Sequence, residues 1–139
     1  MQFSDVVSQT VLASRLRDGA RSGKVAHAQL FEGPEGSGAL ALARAYARFL
    51  HCHSPEADDA CGSCSSCLAH AKLQHPDLHW AFPFFKKDGG GKSVSDPFQI
   101  QWRESMIKTA YFGLEDWLGK IGADKKQLFI SVDEAMEIN

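Results

Sequence analysis

The stretch Gln29–His51 constrains the fold more than any other part of this chain. A short run, Gln29-Leu30-Phe31, leads into Gly33-Pro34-Glu35-Gly36-Ser37-Gly38, and from Ala39 to His51 there are good helix formers with no Gly or Pro. Leu40, Leu42, Ala43, Tyr46, Ala47, Phe49 and Leu50 make that helix apolar on most sides, so it is expected to be central and buried. The order is strand, glycine turn, buried helix. The rest of the chain alternates in the same sense. Residues 5–22 read as a helix, with Leu12, Leu16 and Ala20 on one face and Gly23 as its stop. Leu68–Leu73 suggests one or two helical turns, ended by His75-Pro76-Asp77, and Leu78–Phe82 reads as a second strand. Asp96-Pro97 opens a helix whose face carries Phe98, Trp102, Met106 and Ala110, and Gly113 divides it from a shorter helix holding Leu114, Trp117 and Leu118. Gln127–Val132 reads as a third strand, ending on Asp133-Glu134. This alternation predicts an α/β fold, a mostly parallel sheet with flanking helices. Because the chain stops at Asn139, where a further helix is expected, residues 1–139 read as part of a larger domain.

Composition narrows the class. A chain of 139 residues, 44% hydrophobic and 23% charged, can bury one ordinary core without disulfides. The start, Met1-Gln2-Phe3-Ser4-Asp5, has neither a basic flank nor an apolar run, and no stretch approaches the ~18 apolar residues of a membrane span, so the reading is soluble and cytoplasmic. A net charge of −2 argues against a strongly basic nucleic-acid binder. The six histidines are scattered, and most read as surface or core residues.

A working phosphate-binding loop reads G-x-x-x-x-G-K-[ST]. Gly33 and Gly38 hold its two glycine positions, with Gly36 between them, but Ala39 stands at the Lys position and Leu40 at the hydroxyl position. Backbone N–H groups at such a turn still attract an anion. The charge for the outer phosphates and the hydroxyl for Mg²⁺ are absent, so no functional ATP site and no catalytic residue is expected. The competing reading is a plain glycine-rich turn. A second match, Gly91-Lys92-Ser93, fails because Lys86 occupies the first Gly position and Asp96-Pro97 follows too soon; with Lys86 and Lys87 it reads as a flexible basic loop. Asp133 and Glu134 look like the acidic pair that serves Mg²⁺ and water in active relatives of such loops, here as a remnant, although acidic residues also commonly begin helices.

Cys52, Cys61, Cys64 and Cys67 give C-x8-C-x2-C-x2-C. The two x2 turns bring thiolates together on one knuckle, and four soft ligands suit a closed tetrahedral Zn²⁺ site with a structural role. Disulfides are disfavoured in a cytosolic chain, and the Cys-Pro continuation of a ferredoxin run is absent. His51, His53 or His70 could replace one Cys, but four Cys already complete a set.

Together these residues resemble the clamp-loader subunits of bacterial DNA polymerase III, an AAA+ family. Phe3-Ser4-Asp5-Val6-Val7-Ser8-Gln9 is similar to the family's opening F-x-D-[VI]-[VI]-G-Q, with Ser8 departing at the Gly. Ala26-His27-Ala28-Gln29-Leu30-Phe31-Glu32-Gly33-Pro34 resembles its approach to the phosphate loop, and the four-cysteine module and acidic strand end fall where the family has them. The module occurs in the gamma/tau ATPase subunits and in the delta-prime type. Ala39 and Leu40, with Gln74-His75-Pro76-Asp77, are similar to the latter. The resemblance implies a partial AAA+ domain, with a zinc module at about 52–67 and an insertion at about 83–126. It also implies a non-catalytic scaffold that acts with gamma/tau and delta subunits to load the sliding clamp on primed DNA, with no membrane partner. The alternatives are a gamma/tau-like ATPase or divergent P-loop hydrolase and, more remotely, a zinc-knuckle nucleic-acid binder.

Overall fold

Helices form where apolar residues recur at helical spacing, and helix is the dominant structure of the chain. The computed structural model describes residues 1–86, 93–123 and 126–137. Its α-helices are α1 (Thr10–Arg21), α2 (Ala39–His51), α3 (Ser65–Ala71), α4 (Gln99–Lys108), α5 (Leu114–Ile121) and α6 (Val132–Glu137), with 3₁₀ turns at Phe3–Asp5 and Asp96–Phe98. They fall into two compact units, Met1–Leu78 and His79–Asn139. Among the described residues no helix is long and apolar enough to cross a membrane.

In the first unit α2 is the hub, with α1 and α3 packed against it. Ala41, Leu42, Ala45, Tyr46 and Phe49 are buried, as a helix apolar on most sides requires, while Leu50 near its end stays exposed. Phe3 packs on Phe49 with ring centroids 5.6 Å apart. The first helix is shorter than the expected 5–22. Ser8 takes a left-handed φ of 58° and breaks the helix before Thr10. At the other end Gly23, at φ 69°, lets Lys24 N donate to Gly19 O at 2.8 Å, the glycine stop that the sequence indicated. Ala13 is the fully buried residue of α1, while Leu12 remains 46% exposed.

The second unit is built on aromatics. Phe82, Phe84, Phe85, Phe98, Trp117 and Ala123 are buried together, with Trp80, Trp102 and Phe112 against them. Trp102 stacks on Phe82 (4.4 Å, 8°) and meets Trp117 edge-on (5.0 Å, 86°). Trp117 Nε1 donates to Pro83 O at 2.6 Å, which satisfies the polar edge of this buried ring. The stretch 83–126, expected as an insertion, therefore supplies most of this unit's core.

The expected parallel sheet is not seen. Among the described residues no strand forms; extended chain pairs only at one antiparallel bridge, Phe84 with Phe129, whose N–H groups donate reciprocally at 3.1 and 3.0 Å. Gln29–Phe31 and Leu78–Phe82 carry no ladder, and the third expected strand is cut short because Val132 opens α6. Strands are stabilised by cross-strand pairs, so a short apolar run without a neighbouring strand has nothing to hold it. Leu30, 86% exposed, shows the consequence.

Candidate functional site

The four cysteines converge. Cys52 ends α2, Cys61 and Cys64 lie on the following turns, and Cys67 sits in the first turns of α3, with all four Sγ atoms within 4.8 Å of one another. Backbone N–H groups point at the sulfurs: Cys61 N to Cys52 Sγ at 3.3 Å, Cys64 N to Cys61 Sγ at 3.4 Å and Cys67 N to Cys64 Sγ at 3.4 Å. Such donors favour thiolate. The backbone N–H groups of Cys64 and Ser63 bring the Cys61 thiol down to about 6, and those of Cys67 and His53 lower Cys64. Burial instead pushes Cys67 up to about 12, since a thiolate there lacks water. None of the four is disulfide-bonded. Cys61 Sγ and Cys67 Sγ lie 4.0 Å apart, too far for a disulfide. That separation is near the ~3.8 Å between sulfurs of a tetrahedral ion with bonds of about 2.3 Å. The donor set and spacing fit zinc.

The loop carrying the knuckle is anchored by contacts that the sequence did not disclose. Asp59 accepts from Phe3 N at 3.0 Å and Ser4 N at 2.9 Å, and Gln2 Nε2 donates to Ala60 O at 2.7 Å. Arg21 donates to Glu56 O at 2.9 Å and also to Ala57 O, and Arg48 reaches Gly62 O at 3.3 Å. Gly62 turns at φ 74°, where a side chain would be strained.

The glycine turn has the shape its sequence requires. Gly36 (φ 78°) and Gly38 (φ 84°) are left-handed, and Gly38 caps α2, with its carbonyl accepting from Leu42 N at 2.8 Å. A Cβ on Gly33 would collide with Ser37 Oγ and lie 3.0 Å from Ser37 Cβ. Gln9 Nε2 donates to Ser37 O at 2.8 Å and ties the turn to the start of α1. A cleft of about 550 Å³ borders the turn, lined by Leu12, Leu16, Leu30, Pro34, Ala39 and Leu42 among others. Ala39 and Leu40 occupy the first turn of α2 and bring neither ammonium nor hydroxyl to it.

Asp133 and Glu134 belong to the second unit and lie in the first turn of α6, not on a strand end. Ser131 caps this helix through its Oγ, which accepts from Glu134 N at 3.0 Å. Asp133 Oδ2 accepts from Ser93 N at 2.9 Å. Buried Glu134 accepts from Ser95 N at 2.6 Å with one oxygen and from Ser95 Oγ with the other. Both carboxylates are thus committed to fixing the chain at Ser93–Ser95. Of the Gly91-Lys92-Ser93 motif, Gly91 and Lys92 lie outside the described residues.

Sequence reasoning also missed a cluster of His51, His70 and His75, in which one ring nitrogen from each lies within 4.8 Å of the others, near the knuckle. The sequence offers His51 and His70 only as stand-ins for one knuckle cysteine, and nothing in their spacing shows that His75 joins them in a separate set.

Comparison with known proteins adds a family. The model described as "DNA polymerase III, delta subunit" matches residues 8–136. Protein STICHEL-like 3 of Arabidopsis thaliana is 38% identical over 68 residues, 49% of this chain and 6% of that protein. DNA polymerase III subunit tau of Bacillus subtilis is 33% identical over 66 residues, 48% of this chain and 12% of that protein. DNA polymerase III subunit tau/gamma of Haemophilus influenzae is 36% identical over 76 residues, 55% of this chain and 11% of that protein. The chain spans only a small part of the curated relatives it matches. No solved structure matches.

Proposed function

The chain belongs to the DNA polymerase III delta-subunit family of clamp-loader proteins, and from that premise we propose that it is a delta-prime-type scaffold subunit without ATPase activity. The observation that carries this reading is the first turn of α2. The glycine turn has the glycine spacing of a phosphate loop and runs into a helix, but Ala39 and Leu40 stand where the Lys and hydroxyl that hold Mg-nucleotide would be. Gly33, Gly36 and Gly38 remain as a vestigial loop able to attract an anion, and Asp133 and Glu134 serve Ser93 and Ser95 instead of Mg²⁺. The subunit works in the bacterial cytoplasm with gamma/tau and delta subunits, in an assembly that loads the sliding clamp on primed DNA. Zinc on Cys52, Cys61, Cys64 and Cys67 has a structural role. Its closed ligand set leaves no position for substrate, and it locks the loop that Asp59 and Arg48 fasten to the N-terminal segment.

Calorimetric titration with Mg-ATP, alongside a phosphate-release assay, tests the central claim. The expected result is neither micromolar binding nor turnover, whereas inorganic phosphate held weakly at the turn agrees with the proposal. The likeness to tau and tau/gamma proteins favours one other reading, an ATP-hydrolysing subunit. Micromolar Mg-ATP affinity with steady phosphate release establishes that reading in place of ours.

A further inference from the structure

We propose that His51, His70 and His75 form a second zinc site, with three imidazole ligands and a fourth position open to water or an anionic group. It is separate from the cysteine knuckle and independent of the ATPase question. His51 is the last residue of α2, and His70 lies in the last turn of α3, which packs on α2. His75 is returned to them by a tight reversal. Buried Leu73 takes a left-handed φ of 53°, and Gln74 N donates back to Ala69 O at 2.9 Å.

The three rings already meet. His51 Nδ1 and His70 Nε2 are 2.8 Å apart, joined by one shared proton. His51 and His75 stack with centroids 4.5 Å apart and planes 3° from parallel, and His75 lies 4.6 Å from His70. Three imidazoles on a tetrahedral ion, with bonds of about 2.0–2.1 Å, hold their donor atoms about 3.3 Å apart. The His51–His70 pair opens by about half an ångström to reach this, and one of the parallel rings turns about its χ2 so that both lone pairs meet at one point. On loading, that proton moves to the other nitrogen of the ring that carries it, so both imidazoles stay neutral.

The environment favours neutral, ligating imidazole. Burial, then the neighbouring His75, His51 and Arg48, take His70 down to about 4, so its ring is neutral at pH 7. Behind His75 lies Asp77, with Oδ2 4.0 Å from Nδ1 and its backbone N–H donating to Nδ1 at 3.2 Å. Nδ1 is the acceptor in that bond and the carboxylate at 4.0 Å is not hydrogen-bonded to the ring, so Asp77 contributes charge that offsets a bound cation. Arg48 and the N-terminal ammonium oppose a cation here, and the thiolates of the adjoining knuckle oppose them in turn. Imidazole sets suit Zn²⁺, Cu²⁺ and Ni²⁺, and of these zinc is the ion that the neighbouring thiolates also select.

Cobalt(II), a spectroscopic stand-in for zinc, separates the two sites on the full chain. Thiolate ligation gives an intense near-ultraviolet charge-transfer band, and imidazole ligation gives only visible d–d bands. The expected result is saturation at two equivalents, one with the near-ultraviolet band and one without it, both displaced by Zn²⁺. His75→Ala and the double variant His51→Ala/His75→Ala should lose the second equivalent and keep the first, whose band reports an intact knuckle. Wild-type saturation at one equivalent overturns the proposal whatever the variants do. So does a second equivalent that survives in the double variant.

Discussion

Replacing Glu134 with Ala is a direct test of the claim that the acidic pair on α6 is structural. Glu134 is 6% exposed and Ser95 is fully buried, and both hydrogen-bond donors of Ser95, its N–H and its Oγ, end on the two oxygens of this carboxylate. Truncation removes two charge-assisted bonds and leaves two donors buried without acceptors. A buried polar group left unpaired costs about 1–3 kcal/mol. Two donors on one residue relax together, so the expected loss is about 3 kcal/mol, or a fall in Tm on the order of 10 °C for a chain of this size. Asp133 is half-buried and makes one bond, to Ser93 N, so Asp133→Ala should cost only about 1 kcal/mol. Urea titration of wild type and both variants, followed by tryptophan fluorescence, measures the difference, because Trp102 and Trp117 lie in the core of the same unit. Adding Ser95→Ala to Glu134→Ala should recover part of the loss, since it removes one of the stranded donors. A Glu134→Ala protein within about 0.5 kcal/mol of wild type, or one less affected than Asp133→Ala, refutes the reasoning.

Zinc loading of the knuckle should strengthen as pH rises. Metal-free Cys67 sits near 12 and gives up its proton on ligation, while Cys61, near 6, competes as a thiol only at lower pH, so affinity measured against a chromophoric chelator should fall most steeply below about pH 6. Elemental analysis should find zinc in the purified chain, and Cys64→Ser should lower its retention, because the remaining sulfurs no longer complete the tetrahedron. Gly33→Ala should destabilise by about 1–3 kcal/mol through its collision with the Ser37 side chain, and adding Ser37→Gly should restore much of the loss in chemical denaturation.

What was legible in the sequence was short-range. α2 could be read because its residues are apolar on most sides, and the knuckle because two x2 turns allow their cysteines little choice of place. Gly23, Gly36 and Gly38 each stand where the backbone turns left-handed. The strands misled because β-type residues in a run say nothing about whether a partner strand exists. Gln29–Phe31 shows this, with Leu30 left in solvent. The histidine cluster was hidden because it depends on how α3 packs and on a leucine in a conformation that leucine seldom adopts. The acidic pair is the instructive case between these. Ser131-Val132-Asp133-Glu134 has the S-x-x-E pattern of a helix start, a signal present in the sequence but outweighed by the apolar run before it. In a complete capping box the Glu side chain would turn back to the Ser131 N–H. Here only the Ser half of the box forms, and Glu134 reaches across 39 residues to Ser95. A local pattern could place the helix, but only the tertiary structure could show that its acidic residue is already engaged.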